Sequence, residues 1–373
     1  MKTPSIWILW LFLLLPACQS RSNGQTAEVP TSAPDTTARI TLLFAGDLMQ
    51  HITQIKAAQM PDGSYDYADC FAQVKPLIEE ADVAIANLEV TMGGKPYRGY
   101  PCFSAPDEYL FAIRDAGFDV LLTANNHCLD SGQKGLERTV RMLDSLQIPY
   151  CGTYVNPQAR TERYPLLIEK KGFRIALLNY TYGTNGLVVK APNVVNYIDT
   201  TQMATDILAA QALHPDAIIA CMHWGVEYQM LPNAAQKQLT DWLFGKGVTH
   251  VIGSHPHVVQ PMELRGEMGT EQAHVVAYSL GNYLSNMYKK DTDGGLMVTL
   301  ELEKDSTVRL RDCHYQLVWV SRPASSGKKV HRLIPNSYPD EQLNASDRRL
   351  RHIFLNSARS LFGKHNRGIS ERK

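Results

Sequence analysis

The chain has 373 residues, 44% apolar and 20% charged, and its 37 basic and 37 acidic side chains leave a formal net charge of +0. This composition excludes wholesale disorder, and the charge balance excludes the broad attraction by which basic proteins gather nucleic acid. The length admits one large α/β domain with accessory segments, or two ordinary domains.

The first residues read as an export signal: Lys2 supplies positive charge, Ile6 to Leu15 form a short apolar run, and Pro16, Ala17 and Cys18 follow. The run is shorter than the roughly 20 apolar residues of a bilayer span. Leu15-Pro16-Ala17-Cys18 resembles a bacterial lipobox, in which the Cys becomes the acylated N-terminus; an ordinary secretory signal is the alternative. Either reading puts the mature protein outside the cytoplasm, in the cell envelope, and lipidation at Cys18 would make the membrane a partner. Residues 1–18 are therefore expected as a signal. Residues 19–38, rich in Ser, Thr, Pro, Gly and Ala, are expected as a flexible tether. The remaining cysteines (Cys70, Cys102, Cys128, Cys151, Cys221 and Cys313) form no CxxC pair, so they are expected as buried small apolar residues with at most one bridge.

From Arg39 onward apolar runs alternate with amphipathic ones. Ile40–Ala45, Val83–Asn87, Val120–Ala124, Ile175–Asn179, Ala217–Met222 and Val248–Gly253 read as buried strands. Tyr67–Glu80, Glu108–Ala116, Gly135–Leu146, Thr201–Leu213 and Ala234–Lys246 carry helical spacing. Such alternation predicts an α/β core with largely parallel pairing. Beyond Gly253 come strands without long helices between them, Ala273–Ser279, Gly295–Leu302 and Val308–Val320, which predicts a second, antiparallel sheet packed on the first. Pro323–Lys329 reads as a loop and Asp340–Phe362 as a terminal helix, giving a main domain over 39–322 and a C-terminal extension over 323–373.

Polar residues fall directly after successive buried strands, where loops converge in open α/β sheets. The first strand ends in Gly46-Asp47-Leu48-Met49-Gln50-His51 and the next in Asn87-Leu88-Glu89. Later ones end in Asn125-Asn126-His127, in His223-Trp224-Gly225 and in Gly253-Ser254-His255-Pro256-His257. Imidazole and carboxylate donors suit hard or borderline divalent metals such as Mn, Fe or Zn rather than a thiolate zinc site. Two such ions about 3.5–4 Å apart can share a carboxylate and clamp the attacking and leaving oxygens of a displacement. Each residue alone has a plainer account. Asp47 would serve as a helix cap or turn residue, Asn125 and Asn126 as turn formers, and His223 as a satisfied core imidazole. The recurrence at strand after strand is what points to one site.

These stretches, together with Ser279-Leu280-Gly281-Asn282-Tyr283, resemble in order the motifs of the bacterial capsule-synthesis family, also called CapA or poly-γ-glutamate synthesis proteins, over roughly residues 40 to 302. That family is similar to the calcineurin-like metallophosphoesterases, which implies a two-sheet α/β/β/α sandwich and two divalent metal ions. By this resemblance Asp47 and His257 bind the first metal, Glu89 stands at the bridging position, and Asn126, His223 and His255 bind the second. His127 resembles the imidazole that assists the leaving group. Asn282 lies in a motif that lines the site, and Asn125 is a further pocket or metal position. The chain departs from the pattern twice: Glu89 replaces a bridging Asp, and an Asp-x-His is missing, so His51 either replaces that ligand or lines the pocket.

The leading expectation is thus a dinuclear metal-dependent hydrolase of the envelope, acting on a phosphoester or on a bond of an anionic surface polymer. The second is a non-catalytic component of a polymer synthesis or export machine that works with other polymer-synthesis proteins. A third is a carbohydrate-binding module in which Tyr97, Tyr100, Phe103 and Tyr109 stack on sugars.

Overall fold

The buried apolar runs become strands of two sheets that face one another, with helices on the outside, in a computed structural model that describes residues 37–372. Cys18, the export signal and nearly all of the tether lie outside the described residues. The first sheet runs in the order Arg332–Pro335, Val308–Ser321, Gly294–Lys304, Ala38–Leu48, Val83–Leu88, Val120–Leu122, Tyr150–Cys151. The second runs Met262–Arg265, His274–Ala277, His250–Ser254, Ala217–His223, Phe173–Thr181, Leu166–Lys170. The α/β/β/α sandwich implied by the sequence is the architecture found.

Every residue of Val83–Leu88, Ala217–His223 and His250–Ser254 is buried, because strands covered on both faces need continuous apolar runs. The helices are laid against them by caps and one apolar stripe. Asp199 accepts hydrogen bonds from the Thr201 and Gln202 backbone N–H groups to start Thr200–Ala212, which buries Met203, Ile207 and Ala210. Asn233 and Gln236 form a reciprocal capping box at Ala234–Gly245.

Two sequence expectations are corrected. The expected helix Tyr67–Glu80 is two short ones, Ala68–Phe71 and Lys75–Glu79, because Pro76 is tolerated only in a helix's first turn. The strands after Gly253 do not build a separate antiparallel sheet. Gly294–Lys304 and Val308–Ser321 form a hairpin that extends the first sheet, pairing antiparallel to Ala38–Leu48 with Phe44 opposite Val298, while His274–Ala277 runs parallel to His250–Ser254 in the second. Strand type can be read from a local pattern, but which strand edge a hairpin covers is a long-range choice. The six described cysteines are as expected: all are free thiols, and all but the half-buried Cys102 are buried.

The segment from 323 onward is woven into the first sheet. Arg332–Pro335 pairs with the end of Val308–Ser321, Ser370–Glu371 pairs beside His314 and Tyr315, and helix Ala345–His365 sets the Phe362 ring 5.0 Å from that of Tyr315.

Residues 278–281, which lead from the second sheet to the first, are closely approached by a glycine of each sheet. A Cβ on Gly46 would lie 2.1 Å from the Gly281 carbonyl oxygen, and one on Gly253 would lie 2.0 Å from that of Tyr278 and 2.5 Å from Trp224 Nε1. Gly253→Ala should therefore lower stability by about 2 kcal/mol or more through overpacking, whereas Gly245→Ala, with open space at a helix end, should be neutral or stabilising by up to about 1 kcal/mol; urea unfolding of both variants checks the contrast. His250 gives a pH dependence. Its Nδ1 accepts a hydrogen bond from the Val275 N–H, and burial pushes its pKa down to about 3. The unfolded chain therefore takes up a proton that the fold excludes, so stability should fall as pH drops from about 6.5 towards 3, by up to about 1.4 kcal/mol per pH unit from this group. His250→Asn should flatten that slope in unfolding curves taken across the range.

Candidate metal centre

Parallel pairing aligns the strand ends, and the register does the rest. Asp47 lies beside Asn87 on one side and Asn282 on the other, and His223 lies beside Ser254 on one side and Thr181 on the other. The first sheet thus delivers Asp47, Glu89, Asn126 and Asn282, and the second His223, His255 and His257, to the seam where their carboxyl edges meet. Glu89 Oε1 is 3.5 Å from His223 Nε2 and 3.9 Å from His257 Nε2, and Asp47 Oδ2 is 3.5 Å from His257 Nδ1. Ligand atoms of Glu89, His255 and His257 lie within 4.8 Å of one another, as do those of Asp47, Glu89 and His223. Glu89 belongs to both groups.

The contact between His223 and Glu89 is not an ion pair. Burial, followed by the neighbouring imidazoles His255, His257 and His127, holds His223 well below its ordinary pKa. Burial and then His257 push His255 down to about 3. Burial first, and then the Asp47 carboxylate, drive Glu89 well above the usual carboxylate range. Both Glu89 oxygens and His255 Nδ1 are buried without a hydrogen-bond partner, a costly condition in a protein interior. Imidazole nitrogens, two carboxyl groups, of which Glu89 has no donor to meet it, and an amide oxygen make up a donor set that suits a divalent cation, so these residues fit one.

Neighbouring side chains hold the ligands in place. Asn87 donates to Asp47 Oδ1 (2.8 Å) and to His223 Nδ1 (3.3 Å), which leaves His223 Nε2 facing Asn126 Oδ1 at 2.8 Å. Asn282 Oδ1 lies 3.0 Å from His257 Nδ1, which donates to it and keeps Nε2 towards Glu89. His255 and His257 sit at φ +99° and +58°. These are left-handed conformations that cost roughly 1–3 kcal/mol each in a side-chain-bearing residue and persist where the surroundings over-determine them.

Asn125 and His51 stand beside the cluster, His51 in the pocket-lining place that was one of its two expected roles. Asn125 donates to Asn87 Oδ1 and to the Leu88 carbonyl and accepts from the His127 N–H, so it braces the strand ends instead of facing a ligand. His51 lines the neighbouring cleft, with Nδ1 between Gln54 Oε1 (3.1 Å) and the Asn286 N–H (3.2 Å); burial pushes its pKa down to about 4. Sequence reasoning did not single out Asn87 or Asp130. Asp130 Oδ2 accepts from His127 Nδ1 at 2.7 Å and from the Phe103 N–H at 2.7 Å. The spacing His127-x-x-Asp130 was the available signal. The aromatic residues weighed as a sugar platform divide: Phe103 and Tyr109 are buried, and Tyr100 is exposed on the cleft wall. This cleft, of about 510 Å³, is also lined by Met49, His127, Tyr228, His257 and Met287.

A buried imidazole and carboxylate cluster at the meeting edges of two sheets, carried by motifs in a fixed order, defines a lineage. The sequence profile of the bacterial capsule synthesis protein PGA_cap matches residues 41–287. The chain belongs to the bacterial capsule synthesis protein family. Relatives include the capsule biosynthesis protein CapA of Bacillus anthracis, 26% identical over 288 residues that cover 73% of this chain and 66% of that protein. Another is the PGA biosynthesis protein CapA of Bacillus subtilis strain 168, 25% identical over 313 residues that cover 80% and 76%. The chain thus spans about two thirds to three quarters of these relatives. Among solved structures it is similar to the Haemophilus influenzae NAD nucleotidase (TM-score 0.48, 11% identity, 90% of this chain and 65% of that one). It is also similar to the calcineurin-like phosphoesterase YfkN of Bacillus subtilis (TM-score 0.44, 13% identity, 87% and 99%).

For this family member the orphaned Glu89 carboxylate gives a direct test. In excess chelator, Glu89→Gln should unfold about 1–3 kcal/mol later than the wild type, because a costly buried acid is replaced by a neutral amide. Added manganese or zinc should reverse the order by stabilising the wild type more. Thermal unfolding with and without metal reads both.

Proposed function

We propose that the protein is a metal-dependent hydrolase of the cell envelope, acting in capsule or poly-γ-glutamate metabolism on a phosphoester or on a bond of an anionic surface polymer. The observation that carries this reading is Glu89, a fully buried carboxylate shared by two ligand groups and left without a hydrogen-bond partner. Asp47, Glu89, Asn126, His223, His255 and His257 would hold two divalent cations, Mn, Fe or Zn, with Glu89 common to both. When bound, such ions supply Lewis acidity towards a phosphoryl or carbonyl oxygen and make water a competent nucleophile near neutral pH.

The rest of the chemistry falls to side chains. The Asp130 carboxylate only accepts, so His127 carries a proton on Nδ1 and the exchangeable proton of the ring sits at Nε2. His127 lines the cleft next to His257, where that nitrogen would deliver a proton to the departing oxygen. Asp130 orients the ring, and the Phe103 N–H fixes Asp130. Asn87 and Asn282 orient the ligands and contact no substrate. The names of the Bacillus relatives support the polymer context, and the export signal read from the sequence supports an envelope location through Cys18.

Elemental analysis of the purified protein should find about two divalent ions per chain, and the double variant His255→Ala, His257→Ala should lose them. Phosphodiester, phosphomonoester and γ-glutamyl substrates should show turnover with at least one class. Asp130→Asn should lower kcat about 100-fold or more with metal content retained, since general acid–base catalysis typically contributes 10²–10⁴-fold. Bound metal with no turnover on any class would instead assign the protein a structural part in the polymer machinery.

A further inference from the structure

The loops around the metal centre share a feature that hydrolysis does not explain. Ten large hydrophobic residues are exposed among those described, and eight stand on loops or helix starts that follow the carboxyl ends of site-bearing strands. Ile52 follows Ala38–Leu48, and Tyr100, 76% exposed, follows Val83–Leu88. Tyr182, Leu187 and Val188, the last 78% exposed, follow Phe173–Thr181, and Tyr182 packs its ring 4.5 Å from that of His255. Val226 and Leu231 follow Ala217–His223, and Tyr288, 73% exposed, follows Asn282–Leu284. Ile52, Tyr100 and Tyr288 line the cleft itself. Only Leu208 and Ile353, both on helices, fall elsewhere.

The same loops carry the cations Lys95, Arg98, Lys190, Lys289 and Lys290, all exposed. Arg98 donates to the Ser131 hydroxyl, and Lys95 and Lys289 lie over tyrosine rings, so these three charges are held by neutral partners. Against them stand the exposed Asp199 and Glu227 and the half-buried Asp291 and Asp293; Asp199 caps a helix and Asp293 accepts from the Trp319 indole N–H. Five exposed cations and eight exposed apolar side chains against two exposed acids thus stand on the loops at the carboxyl edges that hold the site, in a chain of zero net charge. Exposed apolar patches of this kind mark a contact surface. Aromatic and aliphatic side chains interspersed with lysine match a phospholipid interface, where rings and aliphatic groups enter the headgroup region and cations meet anionic headgroups.

We propose that this rim docks on an anionic phospholipid surface, with the mouth of the metal centre turned towards the leaflet, so that the substrate is one carried at that surface. Charge complementarity selects an anionic leaflet, and the exposed apolar side chains select lipid over a polyanion free in solution.

Residues 37–373, which contain the complete hydrophobic core, separate this docking from any effect of the N-terminal segment. The probe is co-sedimentation with vesicles of phosphatidylglycerol and phosphatidylcholine in equal parts, compared with phosphatidylcholine alone. Binding to the mixed vesicles only, weakened by added salt, is expected. The pair Lys289→Glu, Lys290→Glu and the pair Val188→Ser, Tyr288→Ser should each weaken it about tenfold or more. The control pair Leu208→Ser, Ile353→Ser removes the same kind of exposed apolar surface away from the rim and should leave binding unchanged. Circular dichroism confirms that each variant is folded. No binding to mixed vesicles, or equal loss in the control pair, overturns the proposal. So does rim-dependent binding to soluble poly-glutamate without binding to vesicles. No turnover is measured, so failure here leaves the hydrolase reading standing; the docking is independent of that reading, and only the inference about the substrate rests on it.

Discussion

Two buried carboxyl groups set against buried imidazoles are the condition on which the rest of the structure turns. Asp47 and Glu89 lie at the ends of neighbouring parallel strands, with His223, His255 and His257 brought against them from the other sheet. Burial, and then the Asp47 carboxylate, hold the Glu89 pKa well above the usual carboxylate range. Burying such a cluster costs stability, and a cation there would offset the cost. Gly46 and Gly253 let residues 278–281 pass close to both sheets. The fold is thus a frame around a buried charge problem.

The amides translate that frame into ligand orientation. Asn87 touches both Asp47 and His223, Asn282 fixes His257, and Asn125 ties the Asn87 and His127 segments together. None needs ionisation to do this, so the ligand geometry is largely insensitive to pH while the ligands themselves are not. The left-handed backbone at His255 and His257 belongs to the same logic. Local strain is tolerated because the surrounding strands allow those imidazoles no other position.

The outward side of the site has a different character. His127 and Asp130 form a buried couple at the cleft, whereas the cleft walls and rim carry tyrosines, aliphatic groups and lysines open to solvent. Polar chemistry is concentrated at the floor and apolar contact at the mouth. This division suits a reaction centre that is reached from an interface and that holds its proton-transfer group away from bulk water.

The order of the motifs, the α/β alternation and the six residues that the fold gathers into one cluster were legible in the chain, because a buried parallel strand must be apolar and a polar residue at its end must interrupt that run. The sequence by itself determined which residues are available to bind a cation: Asp47, Glu89, Asn126, His223, His255 and His257 are marked by residue type and by place after a strand. Tertiary structure alone decided that the late hairpin joins the first sheet, that Asn125 braces while Asn87 clamps, that Asp130 serves His127, and that Ile52, Val188 and Tyr288 share one rim. Residue type and period are local and survive in one dimension. Strand order, the choice of hydrogen-bond partner and the gathering of distant loops depend on contacts between segments up to hundreds of residues apart, and they come into being only when the two sheets close on each other.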